Sequence, residues 1–180
     1  GQETDGPGGL FKGLRTIPVI LDICKDIEEL CPNAWLINFT NPAGMVTEAV
    51  LRYSNIKKVV GLCNVPIGME MGIAKLLDVD HSRIRIDFAG LNHMVYGLDV
   101  YVDGESVKDK VIDLLTDPAN SSFVKNVEGL GWEPEFIKSL DVLTCPYHMY
   151  YYKTNDMIEK DLKNSQAEGT RAEVVQKLEE

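Results

Sequence analysis

One thiol and one imidazole stand out from the rest of the chain. Cys63 ends the apolar run Lys58-Val59-Val60-Gly61-Leu62, and His93 follows Gly90-Leu91-Asn92. A soft sulfur and a ring nitrogen with open positions beside them would suit Zn²⁺, Mn²⁺ or Fe²⁺. On spacing alone the same residues read first as a small buried hydrophobe and a hydrogen-bonded turn residue, since one Cys with one His is no zinc pattern. Asn41 and Asn64 offer planar amides that donate and accept, suited to sugar hydroxyls or a nicotinamide, or else to turn formation and helix capping. Glu3 and Thr4 offer hydrogen-bonding groups on a mobile, glycine-rich loop. That loop has neither GxGxxG after a strand nor GxxxxGK, so it does not read as a phosphate cradle. The run Pro146-Tyr147-His148-Met149-Tyr150-Tyr151-Tyr152 suits either stacking against a sugar ring or packing at a helix start. Cys24 and Cys31 share one helical stripe and read as core, His81 has no evident task, and 173–180 reads as a solvated helix face.

The elements that must position these groups follow from periodicity. Leu14, Ile17, Leu21, Cys24, Ile27 and Cys31 repeat at steps of three and four, which predicts a helix with Pro18 kinking it or opening a fresh turn. Residues 34–39 and 58–63 read as short buried parallel strands, with a turn at Thr40-Asn41-Pro42-Ala43-Gly44 and a helix over 45–53 between them. Candidate ligand-binding groups thus fall where strands of a parallel sheet end, as ligands of open sheets do. After residue 63 the rhythm changes. A helix over 67–77 precedes two period-two strands, 83–90 and 94–102, which predict an antiparallel pair. Helices are expected over 106–115, 133–143, 149–163 and 170–180. The boundary near 63 divides the chain into 1–62 and 63–180.

The 180 residues carry 18 Lys and Arg against 28 Asp and Glu, a net charge of −10, and are 44% hydrophobic. That balance excludes disorder and argues against a nucleic-acid or anionic-membrane surface. The absence of a membrane-length apolar run, a secretory pattern or a CxxC pair predicts reduced thiols and a cytoplasmic location. A start at Gly1 and a stop inside a charged helix at Glu180 lead us to expect a piece of a longer protein.

Four motifs occur in order: Gly1-Gln2-Glu3-Thr4 with Gly6-Pro7-Gly8-Gly9, then Asn38-Phe39-Thr40-Asn41-Pro42-Ala43-Gly44, then Gly61-Leu62-Cys63-Asn64-Val65-Pro66-Ile67-Gly68, then Gly90-Leu91-Asn92-His93. Together they resemble the family 4 glycoside hydrolases, within them the branch that acts on 6-phospho-β-glucosides. Residues 17–41 are also similar to lactate and malate dehydrogenases. The resemblance implies an α/β fold: the C-terminal half of a Rossmann-like parallel sheet (1–62, dinucleotide-binding), then an α+β catalytic domain like that of lactate and malate dehydrogenases (63–180). It also implies a chemistry known as an exception to two-carboxylate hydrolysis. NAD⁺ takes a hydride from carbon 3, a base removes the proton on carbon 2, the glycosidic oxygen leaves carbon 1, water adds, and the hydride returns.

By the same resemblance a divalent metal, Mn²⁺ first, is bound by Cys63 and His93. Asn41 hydrogen-bonds the sugar hydroxyls, Asn64 lies near the metal, Glu3 belongs with the substrate-binding groups, and Thr40 and Asn41 border the cofactor. Members acting on α-glucosides tend to carry an aspartate where Asn64 stands, so the β branch fits better. The GxGxxG turn is expected before Gly1 and the tyrosine base beyond Glu180, with none of the tyrosines at 147–152 given that role, and the arginines for the sugar phosphate are not identifiable. The chain alone is therefore expected to be nearly inactive, as part of a parent enzyme that is a homo-oligomer, dimer or tetramer, acting on a phosphorylated disaccharide or aryl glucoside. The alternatives are a 6-phospho-α-glucosidase or α-galacturonidase-like member, a lactate- or malate-type dehydrogenase, or a non-catalytic assembly module.

Overall fold

The computed structural model describes residues 4–117 and 132–179. It divides into two compact units, residues 1–63 with 160–180 and residues 64–159. Of the first motif, Glu3 lies outside the described residues.

In the first unit, helix α1 (Gly6–Leu30) precedes β1 (Leu36–Asn38), α2 (Ala43–Tyr53) and β2 (Val59–Gly61). β1 and β2 pair in parallel with Leu36 opposite Val59 and Asn38 opposite Gly61, as a strand–helix–strand crossover requires. α1 and α2 close over the sheet through Cys24, Val50 and Ile56, with Ile20, Ile27, Leu36 and Val59 packed around them. α1 starts well before the expected stripe. The glycine-rich stretch is its first turn and more, because Pro7 near the start needs no intrahelical partner and presets the helical φ. The helix also runs through Pro18 without a break.

In the second unit, α3 (Val65–Leu77) leads through a short 3₁₀ turn to the antiparallel pair β3 (Ile84–Leu91) and β4 (Met94–Val102), as the alternation predicts. Ile84 and Ile86 are buried while Arg85 between them is exposed, so period two sorts one face into the core. β5 (Glu105–Ser106), α4 (Lys108–Thr116), α5 (Pro134–Leu140) and β6 (Leu143–Thr144) follow. β6 joins β4, with Leu143 opposite Gly97 and Thr144 opposite Tyr96. The core gathers Met69, Ile73, Ile84, Ile86, Val100, Val111, Ile137, Leu143 and Cys145. Burying each large aliphatic side chain contributes about 1.5–3 kcal/mol.

The helix expected over 133–143 stops at Leu140, where Asp141 takes a left-handed φ of 53° and frees Leu143 to pair with β4. The helix expected over 149–163 is two pieces, α6 (Met149–Tyr152) and α7 (Thr154–Glu168), separated at Lys153. Thr154 Oγ1 donates to the Tyr150 carbonyl at 2.8 Å, satisfying a group that the break would leave open. α8 (Arg171–Glu179) ends the described chain. An α/β parallel pair followed by an α+β segment is thus the observed class.

Gly61 shows how closely α2 lies on β2. A Cβ there would stand 2.3 Å from Thr47 Oγ1 and 3.2 Å from the Ala43 carbonyl. Gly61→Ala is expected to destabilise the first unit by about 1–3 kcal/mol through overpacking. Thr47 Oγ1 is buried with no hydrogen-bond partner, so Thr47→Ala removes the obstacle at little loss. The double variant should therefore recover part of the melting temperature; a purely additive loss would contradict the contact.

Candidate functional site

Two of the predicted groups lie at neighbouring strand ends in the first unit. The backbone beyond β1 turns through Thr40 and Asn41, both exposed, before α2 begins. The Asn41–Pro42 peptide is cis. Beside it, Leu62 N donates to the Asn38 carbonyl at 2.9 Å, carrying the parallel ladder on until Cys63. Thr40-Asn41 and Cys63 therefore share the carboxyl end of the β1–β2 pair. Cys63 is partly buried and makes no disulfide.

The residue that shapes the β1 end was not among the candidates. Asn38, 4% exposed, accepts from Thr40 N at 3.0 Å and donates from Nδ2 to the carbonyls of Thr40 and Ala43, each at 3.3 Å. The available signal was an amide closing an otherwise apolar strand, where a buried polar group needs partners.

Asn64 occupies the residue before α3, exposed, at φ −87° and ψ −4°. Its side chain makes no capping hydrogen bond. The capping alternative raised for this amide therefore does not hold here; its backbone carbonyl instead accepts from Gly68 N at 2.9 Å.

In the second unit the β3–β4 hairpin turns at Asn92-His93, between the paired Leu91 and Met94. His93 has φ 65° and is 5% exposed. A left-handed backbone at a bulky non-glycine residue costs energy that the surroundings must offset, and such strain gathers at functional sites. Three features hold it. Gly90, at φ 126°, brings the two strands so close that a Cβ would stand 2.1 Å from the Met94 carbonyl. Cys145 Sγ donates to the His93 carbonyl at 3.7 Å. The Tyr147 ring lies face to face with the imidazole, centroids 3.6 Å apart and planes 11° apart. Tyr147 reaches it because β6 docks on β4 and delivers the 3₁₀ turn Pro146–His148 to the hairpin.

The rest of that aromatic run forms a second cluster. His148 has no exposed surface, and neither ring nitrogen has a hydrogen-bond partner. Its ring packs on Tyr96 at 4.2 Å and edge-on to Tyr152 at 6.1 Å. The Tyr96 and Tyr152 hydroxyls hydrogen-bond at 2.9 Å, which with burial pushes the Tyr96 phenol up to about 12. Burial holds the His148 imidazole below its ordinary 6.5. The fold thus favours neutral His148, whereas an unfolded chain takes up a proton once the pH drops below about 6.5. This contribution to stability is complete above that value. It is lost as the pH falls from there through the depressed folded value. Melting curves between pH 7.5 and 5 should show wild type losing more stability on acidification than His148→Phe, and parallel losses would contradict the assignment.

Cys63 belongs to the first unit and His93 to the second, and a thiolate and an imidazole are each donors that suit a borderline divalent metal. Among the described residues no group of three or more His, Cys, Asp or Glu side chains gathers that could hold a metal by itself. No helix among them is long and apolar enough to cross a membrane.

Comparison with known proteins agrees across the chain. The family 4 glycosyl hydrolase profile matches residues 1–79, and the profile of that family's C-terminal domain matches residues 88–180. A probable 6-phospho-beta-glucosidase of Bacillus subtilis is 70% identical over 99% of this chain and 40% of its own length. The 6-phospho-beta-glucosidase of Escherichia coli is 51% identical with the same coverage. The 6-phospho-beta glucosidase of Thermotoga maritima, solved with manganese, NAD⁺ and glucose-6-phosphate, superposes with a TM-score of 0.79 at 32% identity, over 99% of this chain and 41% of that one. The chain spans about 40% of the length of these relatives. From the two profile matches and these likenesses, the chain belongs to family 4 of the glycosyl hydrolases.

Proposed function

We propose that the protein containing this chain hydrolyses 6-phospho-β-glucosides with NAD⁺ and a divalent metal, Mn²⁺ first. On this reading residues 1–62 are part of a dinucleotide-binding domain and residues 63–180 part of the catalytic one. The observation that carries it is the 70% identity, over 99% of the chain, to a relative named for that activity. Cys63 and His93 would hold the metal. When bound, NAD⁺ accepts and returns a hydride, and the metal supplies Lewis-acid polarisation of the sugar hydroxyls.

The chain's own residues bind, orient and move protons. Asn41 and Asn64 present amides to sugar hydroxyls, Glu3 adds a further acceptor, and Thr40 with Asn41 borders the dinucleotide. Tyr147 is the phenol stacked on His93, and this contact makes it a candidate, inside the chain, for the base expected beyond Glu180. As a phenolate, its own proton having gone to solvent, its oxygen would take the carbon-2 proton once the neighbouring carbon is a ketone. Asn64 has no acidic proton to give a leaving group, which favours the β over the α anomer. The natural partner is a phosphorylated disaccharide or aryl glucoside, and the parent enzyme is a cytoplasmic homo-oligomer, dimer or tetramer.

A full-length chimera decides this, with the chain replacing the matching stretch of the Escherichia coli relative. Assayed on paired chromogenic 6-phospho-α- and 6-phospho-β-glucosides, it should cleave the β substrate, stop on chelation and resume with Mn²⁺. Cleavage of the α substrate alone, or turnover indifferent to chelation, would contradict the proposal.

A further inference from the structure

We propose that Asn38 is a positioning residue, a buried carboxamide that sets the shape of the Thr40–Asn41 turn and so the direction in which both groups meet a ligand. The inference rests on the assignment of Thr40 and Asn41 to the dinucleotide and sugar hydroxyls. One side chain makes three hydrogen bonds across this turn. Oδ1 accepts from Thr40 N at 3.0 Å, and Nδ2 donates to the Thr40 and Ala43 carbonyls, each at 3.3 Å. Asn38 is 4% exposed, so water does not compete for these groups. Its own backbone is pinned from the other side, opposite Gly61 in the ladder and with its carbonyl taken by Leu62 N.

Few side chains can replace it. The turn demands two donors and one acceptor within a single short reach, which the asparagine amide supplies. Aspartate at neutral pH offers only acceptors and would set a carboxylate against two carbonyl oxygens. Leucine matches its bulk and offers none. Glutamine carries the amide one methylene too far. These three hydrogen bonds thus depend on one amide, and the exposed Thr40 and Asn41 lie on the turn they hold, beside the β2 end that carries Cys63.

The test uses the isotope-labelled full-length chimera as wild type, Asn38→Asp and Asn38→Leu. Amide exchange protection is read at Thr40, with Val50 of α2 reporting whether the unit stays folded. At pH 7 Asn38→Leu should lose Thr40 protection by about tenfold or more, since the acceptor is gone, whereas Asn38→Asp keeps that acceptor and should instead shift the Thr40 and Ala43 carbonyl resonances, whose donor is gone. On acidification Asn38→Asp should return at least one of those carbonyl resonances toward its wild-type position, because a protonated carboxyl both donates and accepts, while Asn38→Leu should not. That selective recovery is something a space-filling role would not produce. Wild-type carbonyl resonances in Asn38→Asp at pH 7, or no return on acidification, would overturn the proposal. Should Asn38→Leu lose Val50 protection as well, the two pH values of Asn38→Asp decide alone.

A second reading titrates NAD⁺ and glucose 6-phosphate separately while following the Asn41 side-chain amide. A response in wild type, weakened about tenfold in Asn38→Asp at pH 7, supports positioning for binding. An Asn41 signal that moves with neither compound in wild type contradicts the role given to Asn41, and the exchange result then decides what Asn38 does to the turn.

Discussion

Cys63→Ser in the full-length chimera is expected to lower Mn²⁺ affinity by at least about 10²-fold, since even a partner behind a metal ligand is worth 10–100-fold. A thiolate is a soft, readily ionised donor, whereas a serine hydroxyl stays protonated near neutral pH. The substitution should leave the fold alone. Cys63 lies outside both apolar clusters, at the end of a strand whose ladder is made by backbone groups. Titration calorimetry reads the affinity directly, and the metal-induced rise in melting temperature should vanish with it. Cys31, an exposed free thiol, is the control: Cys31→Ser should bind Mn²⁺ like wild type. Equal affinity in both serine variants would remove Cys63 from the site.

Tyr147→Phe should separate proton transfer from positioning. The phenylalanine ring keeps the face-to-face contact with His93 and loses only the hydroxyl. If that hydroxyl moves the carbon-2 proton, turnover in the chimera falls roughly 10²- to 10⁴-fold while Mn²⁺ affinity is unchanged. Exchange of the carbon-2 proton with deuterated solvent should fall in parallel. Tyr147→Leu removes both ring and hydroxyl, so metal affinity should weaken as well. A Tyr147→Phe chimera that retains full turnover and exchange would show that the base is another group.

How much of this was visible in the sequence depends on the distance over which each feature is determined. The alternation over 83–102 announced the β3–β4 hairpin because each residue's face is set by its immediate neighbours. The turn at Asn92-His93 was legible from Gly90 and the break in pattern. That the imidazole would be buried in that turn was not, since its cover comes from Tyr147, 54 positions on, through the pairing of β6 with β4. No local propensity signals a two-residue strand, and the helical pattern over 133–143 concealed Leu143-Thr144. The glycine-rich start misled in the other direction: glycine argues for a loop, yet Pro7 and burial of Gly9 and Gly13 carry α1 through it. At Asn38 the local reading saw only a strand end, because what an amide bonds to is settled by the turn that folds back over it. The four ordered motifs carried the family.

The most direct test of the central claim is anomalous scattering at the manganese edge from a Mn²⁺-soaked crystal of the chimera. The account predicts one strong peak within bonding distance of both the Cys63 sulfur and the His93 imidazole. A map in which manganese sits elsewhere, or in which those two side chains share no ion, would contradict it.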